Sequence, residues 1–205
     1  SNTLTRSLII FGQGLNKSHP HIFPIVESIL EDNLGLFRQN MNNMIVHFIK
    51  LYVKSFNYKN TLDNQVLKYA SLVNFVALKG GRLKSEQMLS GLMADIFSNL
   101  YLANGIKYAE KHEYTSKKLE NYIIKRIMIE NQVKINKVID NLGPLKYLLC
   151  HMKKPINYIT FDEEREIFNE IMTNKNIINS LKENIFLNGV LKDMGEINKN
   201  LPPKV

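Results

Sequence analysis

The sequence predicts an all-α protein: a helical bundle with two long antiparallel helices and short helices toward the C-terminus. Three observations carry this reading. Apolar residues recur at three- and four-residue steps over most of the chain. No stretch alternates apolar and polar residues long enough to make a strand. Glycine or proline stands where the periodic stretches stop, as at Gly80-Gly81 and Gly143-Pro144.

Each element follows from that period. Thr3 to Gln13 carries Leu4, Leu8 and Phe11 on one side, until Gly12 and Gly14 break the pattern. Ile22 to Asp32 reads as a short helix, with Pro24 tolerated in its first turn. Leu36 to Tyr58 is longer, with Met41, Met44, Ile45, Phe48, Ile49, Tyr52 and Phe56 in step. Leu62 to Leu78 obeys the same rule and ends at Gly80-Gly81, which suits a left-handed cap.

The strongest signal runs from Lys84 to about His112. There Met88/Leu89, Leu92/Met93, Ile96/Phe97 and Leu100/Tyr101 repeat every four residues, a pattern that suits burial against other helices. Such a helix would be about 42 Å long at 1.5 Å per residue. Thr115 to Leu142 gives the second long helix, striped by Ile124, Met128, Ile135, Val138, Ile139 and Leu142. The break at Glu113-Tyr114-Thr115 is short, so the two should pair antiparallel. Leu145 to Met152 is a short apolar piece, closed by Lys153-Lys154-Pro155. Thr160 and Glu163 fit a capping box before Ile167, Phe168 and Ile171. Ile177 to Phe186 and Gly189 to Asn198 read as short helices, and Leu201 to Val205 as a loose tail. The natural division falls at Gly143-Pro144, giving a bundle over 1–142 and a short-helix extension over 143–205.

Composition narrows the classes. The 205 residues are 44% hydrophobic, enough for a sizeable core. No window holds 18 consecutive apolar residues, as a membrane-spanning helix needs, and no secretory signal opens the chain. Cys150 is the single cysteine, so no internal disulfide can form; a structural thiol in an apolar piece and a reducing, cytoplasmic setting are expected. The net charge of +8 would suit nucleic acid, an anionic membrane or an acidic ligand such as coenzyme A. The lysines are dispersed, however, with no block of five or six basic residues.

Candidate chemistry is sparse. Gly12 and Gly14 lack the third glycine of a dinucleotide loop, that position being Lys17, and no strand precedes them. His19 and His21 flank Pro20 without a carboxylate or thiol at ligand spacing, so no metal site is expected. His47, His112 and His151 each stand alone. Glu163, Glu164 and Glu166 read as a solvated first helical turn, where negative charge opposes the helix dipole favourably. Ser7, Ser90 and Ser98 have no histidine at helical spacing to activate them. The residues thus support a bundle and no complete active site; no catalytic residue is expected.

Two stretches nevertheless resemble a known family. One is Ser1-Asn-Thr-Leu-Thr-Arg-Ser-Leu-Ile-Ile-Phe-Gly-Gln-Gly14, followed by His19-Pro20. The other is Gly80-Gly-Arg-Leu-Lys-Ser-Glu-Gln-Met-Leu-Ser90, continuing through Asp95 to Ala103. Together they look like the bacterial long-chain acyl-CoA dehydrogenase of fatty acid β-oxidation, the large type with an extended C-terminal helical region. The resemblance runs with decreasing clarity to about Phe186. It implies a flavoprotein parent that uses FAD to oxidise acyl-CoA between its α and β carbons, with a glutamate base taking the α-proton. That glutamate belongs to a Glu-Gly motif that would lie about two residues before Ser1. Ser1, Thr3 and Arg6 match positions near FAD in the family, although Thr3 stands where glutamine is frequent.

The resemblance therefore implies a C-terminal region, inactive by itself, whose partners are the remaining domains of the parent enzyme. Three roles follow for it. The helices could cover the catalytic domain or build a homo-oligomer. Leu145 to Lys154 could touch the inner membrane peripherally, since lysines flank its apolar residues. Net charge alone would admit a stand-alone basic module for nucleic acid or protein.

Overall fold

A computed structural model describes residues 20–111 and 115–183. Among them are eight α-helices and no strand, so the all-α expectation holds. They are α1 (Ile22–Leu30), α2 (Leu34–Lys54), α3 (Leu62–Ala77), α4 (Gln87–Lys111), α5 (Lys117–Asp140), α6 (Lys146–Leu149), α7 (Phe161–Thr173) and α8 (Lys175–Glu183). Short 3-10 turns cover Gly80–Lys84, Gly143–Leu145 and Cys150–Met152. The helices expected over Thr3–Gln13 and Gly189–Asn198 lie outside the described residues, as do Gly12 and Gly14.

Local chemistry sets the helix ends. Asn33, Thr61 and Ser116 each accept a backbone N–H from three residues on, which satisfies one of the orphan donors of α2, α3 and α5. Thr160 and Glu163 form the reciprocal capping box that their spacing predicts for α7. Gly80 and Gly143 both adopt left-handed backbone, with φ of +54° and +60°, just past the ends of α3 and α5.

The two long helices pack against each other more extensively than any other pair. They are antiparallel: Asn99 bonds Asn131 at 3.0 Å, and Glu110 meets Lys117 at 3.6 Å near the connection. With α3 they enclose the main core. Leu72 and Val76 from α3, Met93 and Ile96 from α4, and Ile135, Val138 and Ile139 from α5 are all fully buried there. Leu149 and Met152, from the short turns after α5, enter the same core. A smaller cluster of Leu119, Ile167 and Ile177 fixes α7 and α8 to the start of α5.

The paired stripe on α4 needs correction. Leu89, Met93, Ile96 and Leu100 are buried, whereas their neighbours Met88, Phe97 and Tyr101 face outward. Adjacent helical residues sit about 100° apart, so a single interface takes only one of each pair.

Polar groups also enter the core. Asn99 Nδ2 donates to Asn131 Oδ1 at 3.0 Å, Asn131 Nδ2 donates to Gln65 Oε1 at 3.2 Å, and Gln65 Nε2 donates to the Met128 carbonyl at 2.9 Å. This amide ladder crosses α4, α5 and α3 in one line. Farther along α5, Gln132 Nε2 donates to the Met152 carbonyl at 3.1 Å and Asn136 Nδ2 to the Lys154 carbonyl at 2.9 Å. Those two bonds tie the 150–154 segment to the bundle.

The packing of that segment is testable by a pair of truncations. Leu149 is fully buried and Leu148 is more than half exposed. Leu149→Ala should lower unfolding free energy by about 2–4 kcal/mol, and Leu148→Ala by under about 0.5 kcal/mol, in urea denaturation. Equal losses would mean the segment is not seated as described.

Candidate functional site

Two places gather polar side chains. The first lies at the end of α2. Ser55 is fully buried, and its Oγ sits 2.8 Å from His151 Nε2. His151 Nδ1 donates to the Leu148 carbonyl at 3.0 Å, which also accepts from the Tyr52 hydroxyl at 3.0 Å. A carbonyl can only accept, so the ring carries a proton on Nδ1; the single Ser55 hydroxyl proton goes to the Tyr52 carbonyl at 2.5 Å, with His151 Nε2 within hydrogen-bond distance of the same oxygen. Burial holds the His151 pKa below its usual value, against the opposing pull of the Leu148 carbonyl, and the nearby positive charge of Lys68 pushes the same way as burial. The Phe56 ring stacks on the imidazole at 3.8 Å and 2° between planes, while Tyr52 meets it edge-on.

A serine bonded to a histidine invites a nucleophile reading. The hydroxyl is also 2.5 Å from the Tyr52 carbonyl and has no exposed surface, so no substrate can approach it. The pair is a lock that joins α2 to the turns after α5. Sequence spacing could not reveal it, since 96 residues separate Ser55 from His151. The expectation that His151 stands alone is thereby corrected.

The second place is a groove of about 790 Å³ between the start of α3, the end of α4, α5 and residues 154–157. Lys107, Lys117, Lys125 and Lys154 line it, with Ile124, Met128 and Ile156 as apolar floor. Most of its charge is spoken for. Lys107 meets Asp63 at 3.5 Å, Lys117 reaches Glu110 and the buried Glu120, and Lys125 pairs with Glu163. Lys125 and the Thr160 backbone hold the Glu163 carboxyl below its usual range, which fits the solvated first-turn role expected of it.

The remaining sequence candidates resolve as follows. Ser1, Thr3, Arg6, Ser7, His19 and His112 lie outside the described residues. Ser90 and Ser98 donate to backbone carbonyls of Leu83 and Ala94 at 3.3 and 3.0 Å. His21 and His47 meet edge-to-face at 5.2 Å. No group of His, Cys, Asp and Glu suits a metal ion among the described residues. Cys150 is exposed, contrary to the expectation of an interior thiol, because Leu149 and Met152 take the buried positions beside it.

The eight helices of the described residues, with a main apolar core crossed by buried amides and a smaller apolar cluster beside it, define an all-helical domain. Residues 56–201 match the family described as the acyl-CoA dehydrogenase C-terminal domain of bacterial type, and the chain belongs to that family. It is a C-terminal region of an acyl-CoA dehydrogenase. The match takes in Gly80 to Ala103 and starts just past the end of α2, so Ser1 to Gly14 precede it. No solved structure matches the chain. Acyl-CoA dehydrogenases generally use FAD. No aromatic side chain lines the groove.

The His151 lock should report on pH. Its folded pKa lies below the unfolded value of about 6.5, so its contribution is complete above that pH and fades as pH falls through the depressed value. His47 is depressed too, so the comparison must be differential. Urea denaturation from pH 7.5 to 5 should show wild type losing more stability than His151→Phe, and parallel losses would count against the lock.

Proposed function

We propose that this chain forms the non-catalytic C-terminal helical region of a flavin-dependent acyl-CoA dehydrogenase of fatty acid β-oxidation, and that it docks on the remaining domains through α1 and α2. One observation carries the docking. Phe23, Val26, Ile29 and Leu30 on α1, and Ile45, Val46, Ile49 and Val53 on α2, are all exposed. Along α2, residues 45, 49 and 53 follow helical spacing, so they form a stripe. The 21 residues of α2 include none that is buried. Apolar surface on that scale marks an interface.

The position of these helices supports this choice of partner. The family match begins at Phe56, after α2, so α1 and α2 stand on the side of the C-terminal domain that leads toward the dehydrogenase body. In that reading Ser1, Thr3 and Arg6 edge the flavin site of the parent, and the acyl-CoA chemistry belongs to the other domains. The same face would serve a homo-oligomer if the parent assembles through this region. The setting is cytoplasmic.

A second reading has one observation of its own. Tyr147 and Leu148 face outward, and the Lys146 ammonium lies 5.1 Å from the Tyr147 ring centre. An aromatic and a leucine beside lysine suit peripheral contact of Leu145 to Lys154 with the inner membrane. None of the described helices is long and apolar enough to cross one. Flotation of the chain with anionic vesicles at low salt checks it, and absence from the lipid fraction rules it out.

The main reading has two measurable outcomes. The purified chain should show no flavin absorbance and should not oxidise acyl-CoA with an artificial electron acceptor; a yellow, active preparation would contradict it. Hydrogen exchange of α1 and α2 should slow markedly in the full-length parent relative to this chain. Unchanged exchange would remove α1 and α2 as the docking surface.

A further inference from the structure

Helix α7 carries two apolar sides. Ile167 and Ile171 turn inward and pack with Leu119 of α5 and Ile177 of α8. Phe161, Phe168 and Met172 lie on another side and are 84%, 61% and 60% exposed. With Arg165 between the first two, these positions follow steps of four, three and four, so they form one stripe along the helix. Arg165 pairs with Asp162 at 3.4 Å, and the carbons of its side chain extend the apolar surface. From Phe161 to Met172 the stripe is about 16 Å long at 1.5 Å per residue. Two phenylalanines and a methionine aligned in this way mark an interface.

The chain itself supplies a matching partner. Residues 190–201 lie outside the described residues, yet the family match runs to residue 201, so the domain does not end with α8 at Glu183. In that segment Val190, Met194, Ile197 and Leu201 also follow steps of four, three and four. Lys192, Asp193, Glu196 and Lys199 fall between them. Pro202-Pro203 comes directly after Leu201, where a helix would have to stop. A helix of this length with Gly195 inside it is marginal in water and needs a surface to form on.

We propose that residues 190–201 pack as an amphipathic helix along α7, with Val190, Met194, Ile197 and Leu201 against Phe161, Phe168 and Met172. The two stripes have the same step pattern and the same length, as helices that pair side by side require. Connection is short enough to keep the partner local. α8 already packs on α7, and the six residues 184–189 reach up to about 20 Å when extended. Asn188-Gly189 is a dipeptide suited to reversing the chain just before Val190. Such a segment stays at high effective concentration over α7, an advantage no separate partner has. Neither α1 nor α2 takes part, so the contact is independent of docking on the remaining domains.

Hydrogen exchange on the full 205-residue chain tests the proposal. Amides of residues 190–201 should exchange at least about tenfold more slowly than in an unstructured peptide, at a rate independent of protein concentration. Phe168→Glu combined with Met172→Glu should speed that exchange about tenfold or more, and so should Met194→Glu combined with Ile197→Glu. Phe168 and Met172 are both more than half exposed, so their replacement should leave exchange in α4 and α5 unchanged. Tyr101→Glu, at an outward position on α4, should have no effect on residues 190–201. Exchange of residues 190–201 at the free-peptide rate would overturn the proposal, as would protection that survives the Phe168 and Met172 replacements. Protection that appears only as concentration is raised would overturn it in favour of a second copy of the chain.

Discussion

The architecture depends on keeping buried amides satisfied where three helices meet. Asn131 is fully enclosed between α3, α4 and α5, and a carboxamide enclosed without partners would cost about 1–3 kcal/mol. It escapes that cost because Asn99 donates to it and it donates to Gln65, which donates in turn to a main-chain carbonyl. The ladder admits one rotation and one axial offset of the three helices. Leucine and isoleucine packing alone would tolerate neighbouring registers; a directional chain of donors does not. The apolar core supplies the driving force, and the amides supply the register.

Everything after α5 is positioned from that reference. Gln132 and Asn136 extend the polar edge of α5 and hold the carbonyls of Met152 and Lys154. That brings His151 to Ser55 and the Lys154 side chain to Lys68. The groove exists because residues 154–157 run alongside α5 without covering it. The domain thus keeps a concave, lysine-lined groove as well as an exposed apolar surface on α1 and α2.

The bundle was legible because helical period and capping residues are local. The capping box at Thr160, the left-handed glycine after α3 and the antiparallel pairing of the long helices all follow from residues within a few positions of one another. The polar sites were not legible, for a physical reason. Gln65, Asn131 and Lys68 look in sequence like solvent-facing residues between apolar ones, and only the third helix arriving from elsewhere encloses them. The same holds for Ser55, whose histidine comes from the far end of the fold. On α4 the period was clear while the choice of buried face was not, since Met88 and Leu89 are equivalent until α3 and α5 select one. The family resemblance rested on short stretches, and the family match over 56–201 covers far more chain than they did.

One consequence follows from α2 having no fully buried side chain. It meets the main core only through the half-buried Phe48 and Tyr52, so it opens more readily than α3, α4 or α5. Yet its last turn leads into Ser55, which clasps His151. When α2 frays, the clasp opens with it, and the turns carrying Lys154 lose one of their moorings. Whatever settles on the outer helix therefore stiffens the lysine-lined hollow on the other side, a thermodynamic link that requires no change of shape.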